Sequence, residues 1–179
     1  ELGRLCQGFK GKDSTTPPVD GTDTFHVIDY ADIPPDRLKE VCYSNVVCKV
    51  RTEKADPDRT LITIAGNRIC YKGDVGTKTA PLELVKLMIN SVLSRQGAKF
   101  CTFDISNFYL CTPLDRPEYI KIKLSDIPQD FIDEYNLLHH VHNDWVYFEI
   151  RKGIYGMPQS GILAQKLLAK RLAKKGYYP

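Results

Sequence analysis

The run Ala98-Lys99-Phe100-Cys101-Thr102-Phe103-Asp104-Ile105-Ser106-Asn107-Phe108-Tyr109-Leu110 constrains this chain more than any other stretch. Gly97 breaks what precedes it, and the residues that follow are aromatic or otherwise suited to strands, so 98–104 predicts a strand. Period-two alternation sets Phe100, Thr102 and Asp104 on one face and Lys99, Cys101 and Phe103 on the other. Asp104 then closes the strand, where its carboxylate can reach solvent or a metal ion while the strand body stays buried. Phe108 and Tyr109 follow closely enough to wall that carboxylate, a floor suited to a metal-bound nucleotide. Asp is equally favoured at helix N-caps and in turns, and taken alone the residue reads that way too.

Before this stretch, residues 1–24 are rich in Gly, Pro, Ser, Thr and Asp and show no hydrophobic period, which predicts a loop or an extended arm. A short strand is expected at 25–28, and Ile33-Pro34-Pro35 turns into about one helical turn. Residues 45–51 and 60–64 are β-rich runs joined by a polar segment, the pattern of a hairpin with a long charged tip. Gly66-Asn67-Arg68 turns the chain again. A helix is expected from Thr79-Ala80-Pro81, with Thr79 as N-cap and proline in the first turn. Leu84, Val85, Met88, Ile89, Val92 and Leu93 form a broad apolar stripe on it, expected to pack on the strand ending at Asp104.

After the Asp104 stretch, 118–124 alternates as a half-exposed strand. An excursion with a short helix follows over 125–132, then a strand over 145–150. Residues 153–161 make a turn with three glycines that feeds a last helix, 162 to about 175, stopped by Gly176. Leu163, Ala164, Leu167, Leu168 and Leu172 would be its buried stripe. Lys166, Lys170 and Lys174 lie opposite, as a solvated face or a phosphate-contacting one. The order predicts an α+β fold: a sheet with helices on one side, carrying a β-rich appendage.

Composition narrows the class. The chain has 179 residues, 42% hydrophobic and 26% charged, the balance of a soluble globular protein with one core or slightly more. No apolar run approaches a membrane span and no signal peptide opens the chain. Both ends look cut, so a piece of something longer is expected. A formal charge of +3 is weak support for a nucleic-acid partner. The six cysteines form no CxxC pair and fit no zinc spacing. Cys48, Cys70 and Cys101 sit in apolar runs, as reduced core thiols of an intracellular protein would. His139, His140 and His142 cluster in a polar loop and suit solvent better than a metal.

The segment Phe-Asp-Ile-Ser-Asn-Phe-Tyr-Leu at 103–110, with Thr-Pro-Leu-Asp-Arg-Pro-Glu-Tyr-Ile at 112–120, resembles the first catalytic motif of reverse transcriptases from copia-type retrotransposons. Lys-Gly-Ile-Tyr-Gly-Met-Pro-Gln-Ser-Gly at 152–161 is similar to the family's stretch ahead of the long palm helix. Arg-Thr-Leu-Ile-Thr-Ile-Ala-Gly-Asn at 59–67 is similar to its fingers motif, although Leu61 stands where a basic residue is common. The resemblance spans nearly the whole chain and is most specific at 98–124 and 145–161.

The resemblance implies an arm over 1–24, polymerase-like fingers in the β-rich hairpin region over 25–78, and an incomplete palm over 79–179. That palm would be an antiparallel sheet with helices on one face. It implies an RNA-directed DNA polymerase that transfers a nucleotide from a dNTP to a primer 3′-hydroxyl with two metals, Mg²⁺ or Mn²⁺. Asp104 would be the catalytic metal ligand, joined by the Ile105 carbonyl. Ile105, Phe108 and Tyr109 would line the nucleotide, with Tyr109 excluding a 2′-hydroxyl. Gln159, whose amide both donates and accepts, and Arg59 would contact it as well. Lys166, Lys170 and Lys174 would meet an RNA or DNA template with its primer. The other implied partners are the remaining polyprotein domains (rest of the palm, thumb, ribonuclease H, integrase), working in cytoplasmic virus-like particles and the nucleus, with no membrane. The family's paired aspartates find no counterpart after Ile162, so this chain alone is expected to show no turnover. Two other readings stay open: a decayed nucleic-acid-binding remnant without catalysis, and a phosphotransferase of another fold using Asp104 alone. No Gly-rich Lys-Ser/Thr phosphate loop is present.

Overall fold

A computed structural model describes residues 1–11, 17–53, 57–77 and 79–178. The chain opens with one helical turn, α1 (Leu2–Leu5), and a small antiparallel ladder of β1 (Gly8–Phe9) with β2 (Val19–Asp20). Where a loop or an extended arm was expected, the described part of 1–24 carries these short elements, and Ser14, Thr15 and Thr16 lie outside the described residues. Leu2, Leu5 and Cys6 are buried in the main core. The backbone N–H groups of Thr22, Asp23 and Thr24 donate to the carbonyls of Arg4, Cys6 and Leu5, at 2.7, 2.9 and 2.8 Å. Three apolar anchors and these bonds hold the arm where its composition alone suggested none.

β3 (Phe25–Ile28) follows, then 3-10 turns over Tyr30–Asp32 and Pro35–Glu40. β4 (Cys42–Val50) and β5 (Asp58–Ile64) form the expected antiparallel hairpin, with Ser44 opposite Ile64 and Val50 opposite Asp58. Lys54, Ala55 and Asp56 of its tip lie outside the described residues. A 3-10 turn at Gly66–Arg68 precedes α2 (Leu82–Leu93), whose N-cap is Pro81 rather than Thr79.

Two expectations fail here. No residue of α2 is buried: Leu84, Met88 and Leu93 stand 48%, 53% and 80% exposed, so the stripe is not a core face among the described residues. Residues 98–105 form no strand, and among the described residues no backbone–backbone bond involves 99–106. A strand is made by the ladder beside it, and these residues have none, whatever their propensity.

The rest of the chain builds the sheet. β6 (Pro113–Lys123) carries an irregularity between Pro113 and Glu118, followed by a 3-10 turn at Leu124–Asp126 and α3 (Gln129–Glu134). A 3-10 turn at Leu137–His140, β7 (Val141–His142), β8 (Trp145–Lys152) and α4 (Ser160–Ala173) complete it. The strands lie in the order β3-β8-β6-β4-β5, with β7 also paired to β8. All pairings are antiparallel except β4 with β6. The fold is therefore mixed α+β. No helix among the described residues is long and apolar enough to cross a membrane.

Alternation sorts the two faces of the sheet. Phe25, Ile120, Ile122, Val146, Phe148 and Ile150 point into the core with Leu110, Ile154 and Met157. Burying each large side chain contributes about 1.5–3 kcal/mol. The opposite face carries Tyr119 and Tyr147, covered by Ile33 and Val41 in a smaller cluster. Cysteine placement departs from expectation. Cys6 and Cys42 are the buried thiols, whereas Cys48, Cys70, Cys101 and Cys111 are exposed, and all six are unpaired. The α4 stripe is also only partly buried: Ile162 and Ala164 are inside, and Leu172 is exposed.

Candidate functional site

Three turns meet at one end of the sheet. The first follows Asp104: Cys111 N–H donates to Asn107 O at 3.0 Å, and Thr112 N–H to Tyr109 O at 2.9 Å. Asn107 sits in the left-handed region (φ 54°), which Asn tolerates better than most residues. Its side-chain oxygen accepts from Arg4 Nη1 at 2.6 Å, and Arg4 in turn pairs with Glu1 at 2.6 Å. The N-terminal arm thus pins the turn that follows Asp104.

The second turn runs from Gly153 to Ser160. Gly153 N–H donates to Thr112 O at 2.8 Å, and a Cβ on Gly153 would stand 3.0 Å from Tyr109 O. Ser160 Oγ closes the turn, accepting from Ile154 N–H at 3.0 Å and donating to Ile154 O at 2.8 Å. The third element is the base of the hairpin, where Ile64 N–H donates to Tyr155 O at 2.9 Å. Gly156 has φ 89°, and a side chain there would collide with the Ile64 carbonyl.

Among the residues predicted for the site, this convergence joins some and separates others. The Tyr109 ring meets Tyr155 edge-on, centroids 5.1 Å apart, and Phe108 at 5.7 Å. Ile105 and Phe108 line a depression of about 80 Å³ with Thr112, Ala164, Leu167 and Leu168. Asp104 is exposed on the extended segment just before it. Arg59 stands on exposed β5 opposite Lys49, away from these turns in register. Lys166 and Lys170 are exposed along α4, and Lys174 is exposed at its C-cap.

Gln159 departs from the expectation of an open nucleotide contact. It is 2% exposed, and its Nε2 donates to Glu118 Oε1 at 3.3 Å. Glu118, also 2% exposed, is held by Arg37 at 2.6 Å and Arg116 at 3.0 Å. Glu40 bridges the same arginines, 2.7 Å from Arg37 and 3.5 Å from Arg116. Arg37 Nη1 also donates to Pro117 O at 2.7 Å. The amide faces inward because a buried carboxylate needs its remaining lone pairs satisfied. Sequence reasoning missed Glu118, Arg37 and Arg116. The signal available was Arg116-x-Glu118, two opposite charges on one strand face.

Asp104 is one exposed carboxylate, and the Ile105 carbonyl is its nearest candidate companion. A hard divalent ion asks for about six oxygens at near-octahedral geometry. Among the described residues no three His, Cys, Asp or Glu side chains group as a metal site. Asp104 and the Ile105 carbonyl would by themselves fill only part of such a ligand set. A comparison with protein-family models, with curated proteins and with solved structures finds no match.

Proposed function

We propose that this chain is the fingers and partial palm of an RNA-directed DNA polymerase resembling those of copia-type retrotransposons. The observation that carries the reading is the meeting of its two motif-like blocks. The segment after Asp104 and the Gly/Pro turn before α4 lie far apart in sequence, yet they share the Tyr109–Tyr155 contact and the Gly153–Thr112 hydrogen bond. The β4–β5 hairpin is tied to the same turn through Ile64 and Tyr155. A nucleotide-addition centre needs its carboxylate-bearing segment, its aromatic floor and its hairpin held together in the chain in this way.

In this reading Asp104 and the Ile105 carbonyl give oxygens to a divalent ion, which would neutralise charge on the triphosphate. Ile105 and Phe108 shape the floor, and Tyr109 crowds the sugar 2′ position. Arg59 lies farther along the hairpin and would meet phosphate only away from the three turns, and Lys166, Lys170 and Lys174 face the template and primer. Gln159 serves by bracing the turn from behind, through Glu118. One carboxylate does not sustain two-metal transfer, so this chain by itself binds without turning over. The proposal extends to the cytoplasmic and nuclear setting and the further polyprotein domains that such polymerases work with.

Calorimetric titration of a dNTP, with and without Mg²⁺, tests the reading. Binding is expected only with the ion, and Asp104→Asn should abolish it while primer–template binding persists. Equal nucleotide binding by Asp104→Asn would overturn the assignment. A second reading, a nucleic-acid-binding remnant without catalysis, is favoured by the inward-turned Gln159. It expects primer–template binding and no Mg²⁺-dependent nucleotide binding in either protein.

A further inference from the structure

We propose that the open part of the outer sheet face, at Tyr43, Lys121, Lys123, Trp145 and Arg68, binds single-stranded nucleic acid by stacking bases on Tyr43 and Trp145. This surface lies on the face opposite the core and is distinct from the three-turn junction. Its existence needs neither a metal nor a triphosphate, so it stands or falls apart from the polymerase reading.

The register places the residues side by side. Tyr43 on β4 is the partner of Lys121 on β6, and Lys123 on β6 is the partner of Trp145 on β8. Further along, the same face is covered by Ile33 and Val41; Trp145 packs half-buried against the edge of that cluster, and Tyr43 beside it is 37% exposed. The two rings meet edge-on with centroids 5.5 Å apart. Lys121 Nζ lies 4.7 Å from the Tyr43 centroid and 4.6 Å from that of Trp145. Arg68 covers Tyr43 at 5.0 Å.

Charge chooses the occupant. Among the described residues no carboxylate pairs with Lys121, Lys123 or Arg68. Glu149, on the same face, is taken by Arg151 at 2.5 Å, and Asp144 lies in the turn before Trp145. Three cations without a carboxylate partner beside two aromatic rings offer phosphate contacts and stacking platforms together, the chemistry that tracks a single strand without reading its sequence. Duplexes keep their base faces hidden and cannot use the rings. An exposed cation over a ring is a weaker contact than a base stacked there. Of Lys121 and Arg68, Arg68 is the exposed one and can therefore swing off Tyr43 and take a phosphate as a base settles there, giving up its 3.4 Å bond to Val41 O.

Trp145 is the only tryptophan in the chain, so its fluorescence reports on this surface directly. Titrations with oligothymidylate and with oligouridylate, in low salt without divalent ions, should quench it. The two arms tell DNA from RNA, and quenching by either supports the proposal. Tyr43→Ala should weaken binding roughly tenfold or more, and Tyr43→Phe should retain it. Lys121→Ala should lower the slope of log affinity against log salt by roughly 0.7. Quenching that a duplex or heparin produces equally well would overturn the proposal, as would no quenching at all. Quenching removed by alanines at Lys166, Lys170 and Lys174 but untouched by Tyr43→Ala would overturn it too, because the strand would then lie on α4.

Discussion

Arg37 and Glu118 meet at 2.6 Å where the carboxylate is 2% exposed, and the same carboxylate receives Arg116 and the amide of Gln159. Two cations and an amide are arranged around one buried anion, next to the turn that launches α4. Removing one partner from such a set leaves charge uncompensated, and the cost falls on the survivor. Arg37→Met should therefore lower stability by about 3–5 kcal/mol, read from urea unfolding. Glu118→Gln should cost less, because the amide keeps both size and hydrogen bonding. If Arg37→Met and Glu118→Gln are equally mild, the network is not what holds this turn.

Gly156 binds the hairpin to the same turn. Its φ of 89° and its contact with the Ile64 carbonyl leave no room for a side chain. Gly156→Ala should cost about 2 kcal/mol or more, combining left-handed strain with the collision. Hydrogen exchange locates the damage: the Ile64 amide, bonded to Tyr155 O, should lose protection before the amides of β6 and β8 do.

Asn107 couples the N-terminal arm to the segment after Asp104. Asn107→Gly keeps the left-handed backbone and loses the Arg4 contact, whereas Asn107→Ala loses both. A charge-assisted hydrogen bond contributes about 1.5–3 kcal/mol, and the strain adds about 1–2 kcal/mol for alanine. The expected order of stability is wild type, then Gly, then Ala. Limited proteolysis of the arm should follow the same order.

Much of this arrangement was legible in sequence, for identifiable reasons. The β4–β5 hairpin, β6, β8 and α4 were readable as elements from their residue types and spacing, although the outer part of β4 is exposed throughout and the α4 stripe is only partly buried. The Tyr109 ring lies against Tyr155 of the Gly/Pro turn, a contact that no local pattern announces. Residues 98–104 show the opposite case: alternation says which side chains share a face, and only a neighbouring ladder makes a strand. The arm was hidden because its buried apolar side chains, Leu2, Leu5 and Cys6, are too few to show a period. Gln159 was readable as a turn residue. Its inward orientation depends on Glu118, Arg37 and Arg116, which come together only through the sheet.

The buried thiols set an alkaline limit. Burial, reinforced by the charge of Asp23, pushes Cys6 up to about 12, and burial pushes Cys42 up to about 11. An unfolded chain ionises these thiols near 9. Both folded values are raised, so their contribution is fully present below pH of about 9 and is lost as pH climbs toward 11 and 12. Urea midpoints should fall over that window, and Cys6→Ala with Cys42→Ala should flatten the fall. At neutral pH, alkylation of the folded protein should label Cys48, Cys70, Cys101 and Cys111 and spare Cys6 and Cys42.

Helix α2 offers the sharpest contrast between pattern and packing. Its stripe of Leu84, Val85, Met88, Ile89 and Leu93 has the spacing of a core face, and a chain burying it would lose about 2–5 kcal/mol on truncating one leucine or methionine. In the structure these side chains stand in solvent, with Met88 53% and Leu93 80% exposed. Surface changes of this kind usually stay within about 0.5 kcal/mol. Met88→Lys and Leu93→Lys should therefore leave the unfolding midpoint nearly unchanged while raising solubility, because they break an exposed apolar patch. A loss of several kcal/mol in dilute monomeric protein would mean that α2 packs against the body of the chain after all.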